Sequence, residues 1–406
     1  MNNQPESSQL PRMDPNAPCL VLAPHLVYPL RSGSNIAIHN RWSAFSRFVP
    51  YVDIIGQSTV NRYENGALAR TVNYSNSVRS QKRAALRTIV RRTQYQLEKF
   101  VTKEFSAKAV EHLADQAYGC VVGSYLNTVP LLAHDPHAGT RPHLVETHND
   151  DFKWYRTLQE SAPNPLARLA AMLSERWTAS IFRAHQHQLL LSHVTETDRQ
   201  GYLRVAPDHR SIITPIGVRI PDTPPVPQAP DGDIRLLFVG SLGVIMNADA
   251  LEYFGKRYFP ILKQHFGDAL HVDVVGNSPA LRIESMCEEH GWGLHPNAPD
   301  ELLHELLRKA SFTLLPFEYA TGAKLKLLES IAHGVPFLAT SHVLAQLESI
   351  PPSCLLADDP ADWLAHVEAI QKKGQSVGER TKLVEIAKRH SWEASARGVF
   401  ERLTKA

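Results

Sequence analysis

The 406-residue sequence has few cysteines, little net charge and no long apolar segment. Its four cysteines stand singly without CxxC spacing, which argues against a disulfide framework or a zinc site and fits a reducing compartment. The formal net charge is only +2, so no global field directs the chain towards nucleic acid. No apolar run approaches membrane-spanning length, and the polar first residues contain no signal-peptide core. We therefore expect a cytoplasmic protein in which residues 1–17 form a disordered tail.

Several kinds of site are also missing from the sequence. Neighbouring aspartates occur, but no ligand cluster has useful spacing, so we expect neither a metal nor a cofactor. The first predicted strand is not followed by GxGxxG, which argues against a dinucleotide site. No local motif indicates a Ser–His–Asp or Cys–His arrangement.

Short apolar, β-branched runs alternate with longer helical patterns along the whole chain. Because these runs are continuous, they predict strands covered on both faces, which are typical of parallel sheets between helices. The predicted strands are residues 19–24, 52–57, 120–125, 143–148, 188–193, 211–216, 234–240, 271–276, 311–317, 335–340 and 354–357. Five prolines within residues 220–233 predict a stiff linker. We thus predict an α/β protein with two doubly wound, Rossmann-like parallel-sheet domains, residues 18–219 and 234–389, which face each other across a cleft.

The segment TGAKLKLLESIAHG, residues 321–334, predicts a helix between two of these strands. In open α/β sheets, ligands bind beyond the carboxyl ends of the strands, where the first N–H groups of a helix can bind an anion. The N-terminal end of a helix dipole favours negative charge, whereas Lys324 and Lys326 place positive charge there. A bound phosphate would compensate these charges. Glu329, three residues after Lys326, can accept hydrogen bonds from a ribose diol. The alternative is a local Lys–Glu pair on a partly exposed helix.

Residues 311–340 carry the pattern P-x-E…G-x-K-x-K-x-x-E-x-x-A-x-G-x-P-x-x-A-T. This pattern resembles the nucleotide-sugar site of retaining glycosyltransferases of family 4, which have the GT-B fold. The likeness continues through residues 238–254, 274–286, 295–302, 147–151, 190–198 and 213–218. The resemblance implies that Glu329 grips the ribose and that Lys324 and Lys326 face the diphosphate. It also implies that Gly322 and the backbone that follows, through Ala323 and Leu325, approach the donor sugar.

The sequence departs from the family pattern at two places. Thr321 stands where the family has a glutamate eight positions before Glu329, and Glu318, one turn away, could substitute for it. Many family members have an Arg or Lys near the turn GSLG, residues 240–243, that contacts the diphosphate, but this sequence has none there. Contact with the diphosphate would then fall to Lys324 and Lys326. Gly240 and Ser241 would allow close backbone approach, and Asn247 is predicted to cap the next helix; an ordinary turn is the alternative.

The first half contains further expected site residues. Gly33 and Ser34 lie where the family has a glycine-rich loop near the donor phosphates and the acceptor, although a plain surface loop is the alternative. His148 ends a predicted strand, and the resemblance places it at a histidine that contacts the donor sugar or orients the acceptor. The helix within residues 390–406 resembles the segment with which the family packs back onto its first domain.

Residues 79–103 form a basic segment with helical spacing. Such a helix could contact an anionic membrane peripherally, dock an acidic partner, or be an ordinary solvated face. Nucleic acid is not expected, because no aromatic platform or recognition motif accompanies the charge.

Together these features predict a glycosyltransferase. The enzyme would move a sugar from a nucleotide-diphosphate donor to a hydroxyl of a saccharide or lipid-linked acceptor, with retention by resemblance. His148, Lys324 and Lys326 would be its catalytic residues. The resemblance further implies a role in cell-surface polysaccharide or glycolipid synthesis. The alternatives are a nucleotide-sugar epimerase of the same fold and a catalytically inactive sugar-nucleotide-binding protein, the latter because Thr321 replaces the usual glutamate.

Overall fold

The computed structural model describes residues 10–28, 30, 33–318, 325–343, 347 and 349–405. The chain divides into two compact units. Unit 1 comprises Met1–Gly217 with Trp392–Ala406, and unit 2 comprises Val218–Ser391. Each unit contains a sheet whose strands are mostly or entirely parallel, with helices along the chain between them. The predicted α/β fold class is therefore confirmed.

The sheet of unit 1 has the strand order β4-β3-β2-β1-β5-β6-β7-β8, in which β3 and β4 are antiparallel to their neighbours and the rest are parallel. Its strands are Cys19–Leu22 (β1), Val52–Ile55 (β2), Thr59–Glu64 (β3), Ala67–Asn73 (β4), Cys120–Ser124 (β5), His143–Glu146 (β6), Leu189–His193 (β7) and Arg210–Ile213 (β8). Its first helices are Gly33–Phe45 (α1), Gln81–Arg91 (α2), Tyr95–Phe100 (α3), Lys103–Leu113 (α4), Val129–Leu132 (α5), Asp151–Glu160 (α6), Pro165–His185 (α7) and Glu196–Leu203 (α8).

The sheet of unit 2 is parallel throughout and has the order β11-β10-β9-β12-β13-β14. Its strands are Ile234–Val239 (β9), Leu270–Gly276 (β10), Gly293–Pro296 (β11), Phe312–Leu315 (β12), Phe337–Ala339 (β13) and Leu355–Leu356 (β14). Its helices are Ile245–Arg257 (α9), Phe259–Phe266 (α10), Leu281–His290 (α11), Asp300–Lys309 (α12), Leu325–Ala332 (α13), Pro360–Lys373 (α14) and Val377–Lys388 (α15). The last helix, Trp392–Lys405 (α16), returns to unit 1 and packs against α1.

The central strand β1 shows why continuous apolar runs indicate strands covered on both faces. Leu20 and Leu22 belong to one hydrophobic cluster of unit 1, whereas Cys19 and Val21 belong to another. Since successive side chains of a strand point to opposite faces, helices must cover both sides of the sheet. All eleven predicted strands are confirmed, and their ends coincide with the predicted ones or differ from them by up to three residues.

Three strands are not among the predicted ones. The β3–β4 hairpin is an antiparallel extension whose outer strand is exposed at every residue, so it lacks the continuous apolar run that marks a buried strand. Its Asn65–Gly66 turn is nevertheless a hairpin signal, because both residues have positive φ. The third, β11, is a short and partly exposed edge strand.

The basic segment does not form the single helix that its spacing predicts. The chain ends α2 with Arg92 in the left-handed conformation and begins α3 at Tyr95, and α4 starts separately at Lys103. Glu98 is buried and accepts a 2.7 Å hydrogen bond from Arg87 Nε, which folds α3 back against α2. The prediction of one continuous helix over residues 79–103 is therefore wrong.

Part of the segment predicted to be a disordered tail is packed. Met13 is buried, and its N–H donates to the Leu403 carbonyl in α16 at 2.9 Å, so this part of residues 1–17 is packed. The Pro-rich segment 220–233 has no helix and is held against unit 2 through the bridge between Gln228 and Gln375. In the part of the chain that the structure describes, no helix has both the length and the hydrophobicity to cross a bilayer.

Candidate active site

The carboxyl edge of the unit 2 sheet contains a tightly packed backbone turn after β9. The Gly240 N–H donates to the Val275 carbonyl at 2.9 Å, and the Leu242 N–H donates to the Asn277 carbonyl at 2.9 Å. A Cβ on Gly276 would lie only 1.6 Å from the Gly240 carbonyl oxygen. Both glycines therefore allow two strand ends to approach more closely than side chains would permit.

Lys326 is the second residue of α13, and its side chain extends over this turn. Its Nζ donates a 2.9 Å hydrogen bond to Asn247 Oδ1 and lies 2.5 Å from the position that a Gly240 Cβ would occupy. The Asn247 Nδ2 in turn donates to the Ser241 carbonyl at 2.7 Å. The rings of Phe238 and Phe317 flank the ammonium, with centroids 5.0 and 5.5 Å away. The fold thus brings together Gly240, Ser241, Asn247 and Lys326.

Asn247 differs from its predicted role. Helix α9 begins at Ile245 with Val244 as its N-cap, so Asn247 is the third helical residue and does not cap the helix. Its amide instead connects the turn after β9 to Lys326. Because the amide is neutral, this hydrogen bond orients the ammonium group without neutralising its charge.

Glu329 lies three residues beyond Lys326 on α13 and is half-buried. Burial raises the pKa of its carboxyl group, and the charge of Lys326 opposes that rise. A hydrogen-bond donor on a ligand would stabilise the charged form that burial disfavours. Leu325 is half-buried at the start of the described helix, whereas Glu318, just beyond β12, is exposed. Thr321, Gly322, Ala323 and Lys324 lie outside the described residues.

In unit 1, His148 lies two residues beyond the end of β6. Its Nε2 is 3.0 Å from the Ser124 hydroxyl, and its ring centroid is 4.4 Å from that of Tyr125. Burial lowers the pKa of His148 to about 4, with Arg41 acting in the same direction and Glu146 opposing it. The imidazole is therefore neutral near pH 7 and can exchange hydrogen bonds with hydroxyl groups.

Ser34 reaches the same cluster from the first turn of α1. Its hydroxyl hydrogen-bonds that of Tyr125, whose pKa is raised by burial. Tyr125 therefore brings Ser34 and His148 together, although Gly33 is exposed at the helix start.

Beneath this cluster, a buried ion pair joins α1 to the end of β6. Arg41 and Glu146 form a short salt bridge with side chains only 2% and 1% exposed, and Trp42 Nε1 donates to the same carboxylate at 2.7 Å. Because both charges are desolvated and paired, neither element can shift without a large electrostatic cost. The pair fixes the backbone from which Ser34 and His148 extend.

The sequence analysis did not identify two residues of the cluster, His25 and Tyr125. The His25 ring lies 4.3 Å from the Phe100 ring and 4.9 Å from the Tyr125 ring, and its Nε2 accepts a 2.8 Å hydrogen bond from Asn127. Burial lowers the pKa of His25 to about 3, and the neighbouring His148 adds to that effect. His25 directly follows a predicted strand, so the strand-end rule that selected His148 also applies to it.

No set of three or more His, Cys, Asp or Glu side chains is arranged to hold a metal ion among the residues that the structure describes. The expectation that no metal or cofactor takes part stays a prediction.

Comparison with known proteins supports the predicted class. Residues 233–372 match the family model described as Glycosyl transferases group 1. No curated protein matches the sequence. Sucrose-phosphate synthase from Thermosynechococcus elongatus is a similar solved structure, with 15% identity and a TM-score of 0.63 over 96% of this chain and 98% of that chain.

Two further solved structures are similar over nearly the whole chain. Trehalose-6-phosphate synthase OtsA is 13% identical, with a TM-score of 0.61 over 96% of this chain and 99% of that chain. Anabaena HepE in complex with UDP is 10% identical, with a TM-score of 0.55 over 96% of this chain and 100% of that chain. These likenesses confirm the GT-B fold. The family match confirms the predicted enzyme class, a glycosyltransferase.

Proposed function

We propose that the protein transfers a sugar from a nucleoside-diphosphate donor to an acceptor hydroxyl with retention of anomeric configuration. The observation that carries this proposal is the Lys326 ammonium held close to the backbone of Gly240, which has no side chain. This arrangement offers a full positive charge beside accessible backbone at the carboxyl edge of a parallel sheet, where ligands of such folds bind.

The charge of Lys326 is suited to the chemical step. The bond between the anomeric carbon and the diphosphate oxygen breaks with its electron pair on that oxygen, while the acceptor oxygen bonds to the carbon. The acceptor proton then leaves with the nucleoside diphosphate. Negative charge therefore grows on the diphosphate, and a cation fixed in advance stabilises it. We assign Lys324, which lies outside the described residues, to the same role.

Glu329 supplies the second part of the donor site. We propose that its half-buried carboxylate accepts hydrogen bonds from both ribose hydroxyls. Burial disfavours the charged carboxylate, and two donated hydrogen bonds would offset that cost when the nucleotide binds. This role explains why a carboxylate stands on a largely buried helix.

His148 and Ser34 are proposed to contact the hydroxyl groups of the reacting sugars. Their hydrogen-bonded neighbours, Ser124 and Tyr125, hold them in place, and the neutral imidazole suits an uncharged ligand. The family resemblance supports retention. A second support is a trehalose-6-phosphate synthase that was studied for glycosyl transfer with retention; its fold is similar, with 12% identity and a TM-score of 0.56. The UDP bound to HepE makes UDP the first nucleotide to test.

We further propose a cytoplasmic enzyme that meets a saccharide or lipid-linked acceptor of cell-surface polysaccharide or glycolipid synthesis at the membrane. Leu86 and Val90 on α2 are 62% and 74% exposed, and Lys82 and Arg83 are exposed on the same helix. Exposed apolar side chains beside cations suit peripheral contact with anionic lipid.

Calorimetric titration with UDP, GDP and ADP tests the nucleotide site. We expect Lys326→Ala to weaken binding of the preferred nucleotide about 10- to 150-fold, because a hydrogen bond to a charged group contributes about 1.5–3 kcal/mol. Lys256→Ala is the matched control, since that lysine is 75% exposed on α9 of the same unit and pairs with Glu252. Equal affinities of Lys326→Ala and wild type, with both proteins folded, would refute the assignment of Lys326.

Turnover with labelled nucleotide sugars then separates the three candidate activities. Transfer or slow hydrolysis supports a glycosyltransferase, interconversion of free donors supports an epimerase, and binding without turnover supports an inactive binding protein. The NMR coupling constant of the product's anomeric proton reports retention directly. An inverted product would exclude the retaining mechanism.

A further inference from the structure

Unit 1 contains a cavity of about 410 Å³ between α1 and the β3–β4 hairpin. Its volume falls within the range of roughly 300–1,000 Å³ that is usual for small-molecule sites. The lining residues are Tyr28, His39, Ser43, Thr59, Asn61, Tyr63, Gly66, Leu68 and Thr71. None of the residues discussed as the nucleotide-sugar site lines it.

The walls of this cavity are fixed to each other. Asn65 and Gly66, with φ of 48° and 83°, form the tight turn of the hairpin. The Asn65 N–H donates to the Ser46 carbonyl at 3.2 Å, and the Gly66 N–H donates to the Ser46 hydroxyl at 2.9 Å. Because Ser46 directly follows α1, the hairpin tip is attached to the end of that helix. The cavity is therefore preformed, and a ligand would not have to order it.

Polar groups are concentrated at one place in the cavity. The Tyr28 hydroxyl lies 3.0 Å from His39 Nδ1 and 3.1 Å from the Tyr63 hydroxyl, which is itself 3.1 Å from His39 Nδ1. His39 Nδ1 thus faces two hydroxyl groups. His39 Nε2 makes no hydrogen bond to any residue within the described ranges, and in either tautomer it can donate to or accept from a ligand.

The lining carries no fixed charge. Burial lowers the pKa of His39, which keeps the imidazole neutral at physiological pH. Arg47, next to Gly66, is directed into a 3.2 Å salt bridge with Glu393. A phosphate or carboxylate would therefore lose its hydration in this cavity without gaining a partner of opposite charge.

We infer that this cavity binds a neutral saccharide. The Tyr28 ring, which is 37% exposed, offers flat apolar surface for the C–H face of a sugar, and the hydroxyl and imidazole groups of the lining offer donors and acceptors for its hydroxyls. Tyr28 follows β1, and Thr59 lies beside the end of β2, so this part of the lining lies towards the carboxyl edge of the unit 1 sheet, whereas Gly66 lies beyond the start of β2. That this saccharide is part of the acceptor rests on the proposed function; the binding itself does not.

Saccharide binding can be measured on the full chain without any nucleotide. We would titrate maltose, cellobiose and N,N′-diacetylchitobiose, with glucuronic acid and glucose 6-phosphate as anionic comparators, by saturation-transfer NMR and calorimetry. Leu68→Arg places a long charged side chain at the cavity, and Leu68 is 55% exposed, so the protein should remain folded. Leu166→Arg is the matched control, because Leu166 is 66% exposed on α7 and does not line the cavity. Tyr28→Phe removes one hydroxyl and keeps the ring.

We expect saturable binding of at least one neutral disaccharide. Leu68→Arg should weaken it at least tenfold, Tyr28→Phe should weaken it severalfold, and Leu166→Arg should leave it unchanged. Absence of binding for every neutral sugar, unchanged binding in Leu68→Arg, or tighter binding of an anionic comparator would overturn the inference. UDP titration of the same samples keeps the two questions apart, because loss of nucleotide binding alone would refute the proposed function and not this site.

Discussion

A single methyl group added at Gly240 should displace the charge on which the proposed nucleotide site depends. The new Cβ would lie 2.5 Å from Lys326 Nζ and 3.1 Å from Asn247 Nδ2. Since ordinary contact begins at 3.4 Å, the ammonium must withdraw by about 0.9 Å. Gly240 does not have positive φ, so alanine can adopt its backbone conformation. The end of a lysine side chain moves at little cost, and we therefore expect Gly240→Ala to fold normally.

The size of the effect follows from the contacts of Lys326. Its 2.9 Å hydrogen bond to Asn247 would be stretched or broken, and a diphosphate bound at the turn would lose a comparable charge-assisted contact. Such a contact contributes about 1.5–3 kcal/mol, which corresponds to a loss of affinity of about 10- to 150-fold. The loss should appear in nucleotide binding while the unfolding temperature stays within a few degrees of wild type.

Calorimetric titration with UDP, alongside thermal unfolding, measures both quantities. Gly378→Ala is the control in the same unit, because the nearest atom to its new Cβ would be 3.9 Å away. In a Lys326→Ala background, Gly240→Ala should have little further effect on binding, since the displaced ammonium is already gone. Full nucleotide affinity in a folded Gly240→Ala protein, or equal losses in both backgrounds, would refute the reasoning.

Four other changes give measurable outcomes. Burial raises the pKa of Asp151 to about 7, so its contribution to stability is present below the unfolded pKa and lost as pH rises through 7. In urea unfolding, the free energy of unfolding of Asp151→Asn relative to that of wild type should therefore rise by up to about 4 kcal/mol between pH 4 and pH 8. A difference that does not change with pH would contradict the raised pKa. Gly276→Ala would place a carbon 1.6 Å from backbone and should lower the free energy of unfolding by at least about 2 kcal/mol; unchanged denaturation would contradict that packing. Leu86→Asp should reduce the fraction of protein that sediments with phosphatidylglycerol vesicles, whereas Val377→Asp, also at an exposed site, should not. Equal sedimentation of Leu86→Asp and wild type would exclude membrane contact through α2. Tyr125 has φ of 70° and ψ of 157°, a backbone conformation that glycine adopts more easily than alanine. The Tyr125→Gly variant should therefore have a free energy of unfolding about 1–3 kcal/mol higher than Tyr125→Ala, because glycine releases the backbone strain. Equal stabilities of the two variants would show that this strain is absent.

The parallel sheets were predictable because burial on both faces leaves a direct trace in sequence. Cys19–Leu22 and Phe312–Leu315 are apolar at nearly every position and buried at all of them. The edge strand Ala67–Asn73 leaves no such trace, since it is exposed throughout and contains Arg70 and Thr71 among its apolar residues. Edge strands are specified by pairing with a neighbour, and that pairing depends on the turn at Asn65 more than on composition.

The basic segment shows where periodicity fails as a guide. Its spacing fits one helix, but Arg92 adopts the left-handed conformation and Glu98 turns inward to meet Arg87 and Arg91. A buried carboxylate needs partners, and the fold provides them by bending the chain so that α3 packs beside α2. That tertiary requirement is not visible in the order of charged and apolar residues.

The candidate site was predictable where a general rule applies to a strand end and unpredictable where a side chain bridges two elements. Lys326 and Gly240 were found because each lies beyond a strand of a parallel sheet. The bridging role of Asn247 was missed, since a helix that begins two residues earlier leaves the amide free to contact both the Ser241 carbonyl and Lys326. The same rule, applied consistently, would have selected His25 as well as His148.

The electrostatics of the two groups of residues agree with the different roles proposed for them. In unit 2, Lys326 keeps a positive charge beside open backbone, which suits an anion. In unit 1, burial lowers the pKa of His25 to about 3 and that of His148 to about 4, so both rings are neutral at physiological pH. Neutral imidazoles do not attract phosphate but do exchange hydrogen bonds with hydroxyls. Under the proposed function, the anionic diphosphate of the donor would use the first environment, and the neutral hydroxyls of the reacting sugars would use the second.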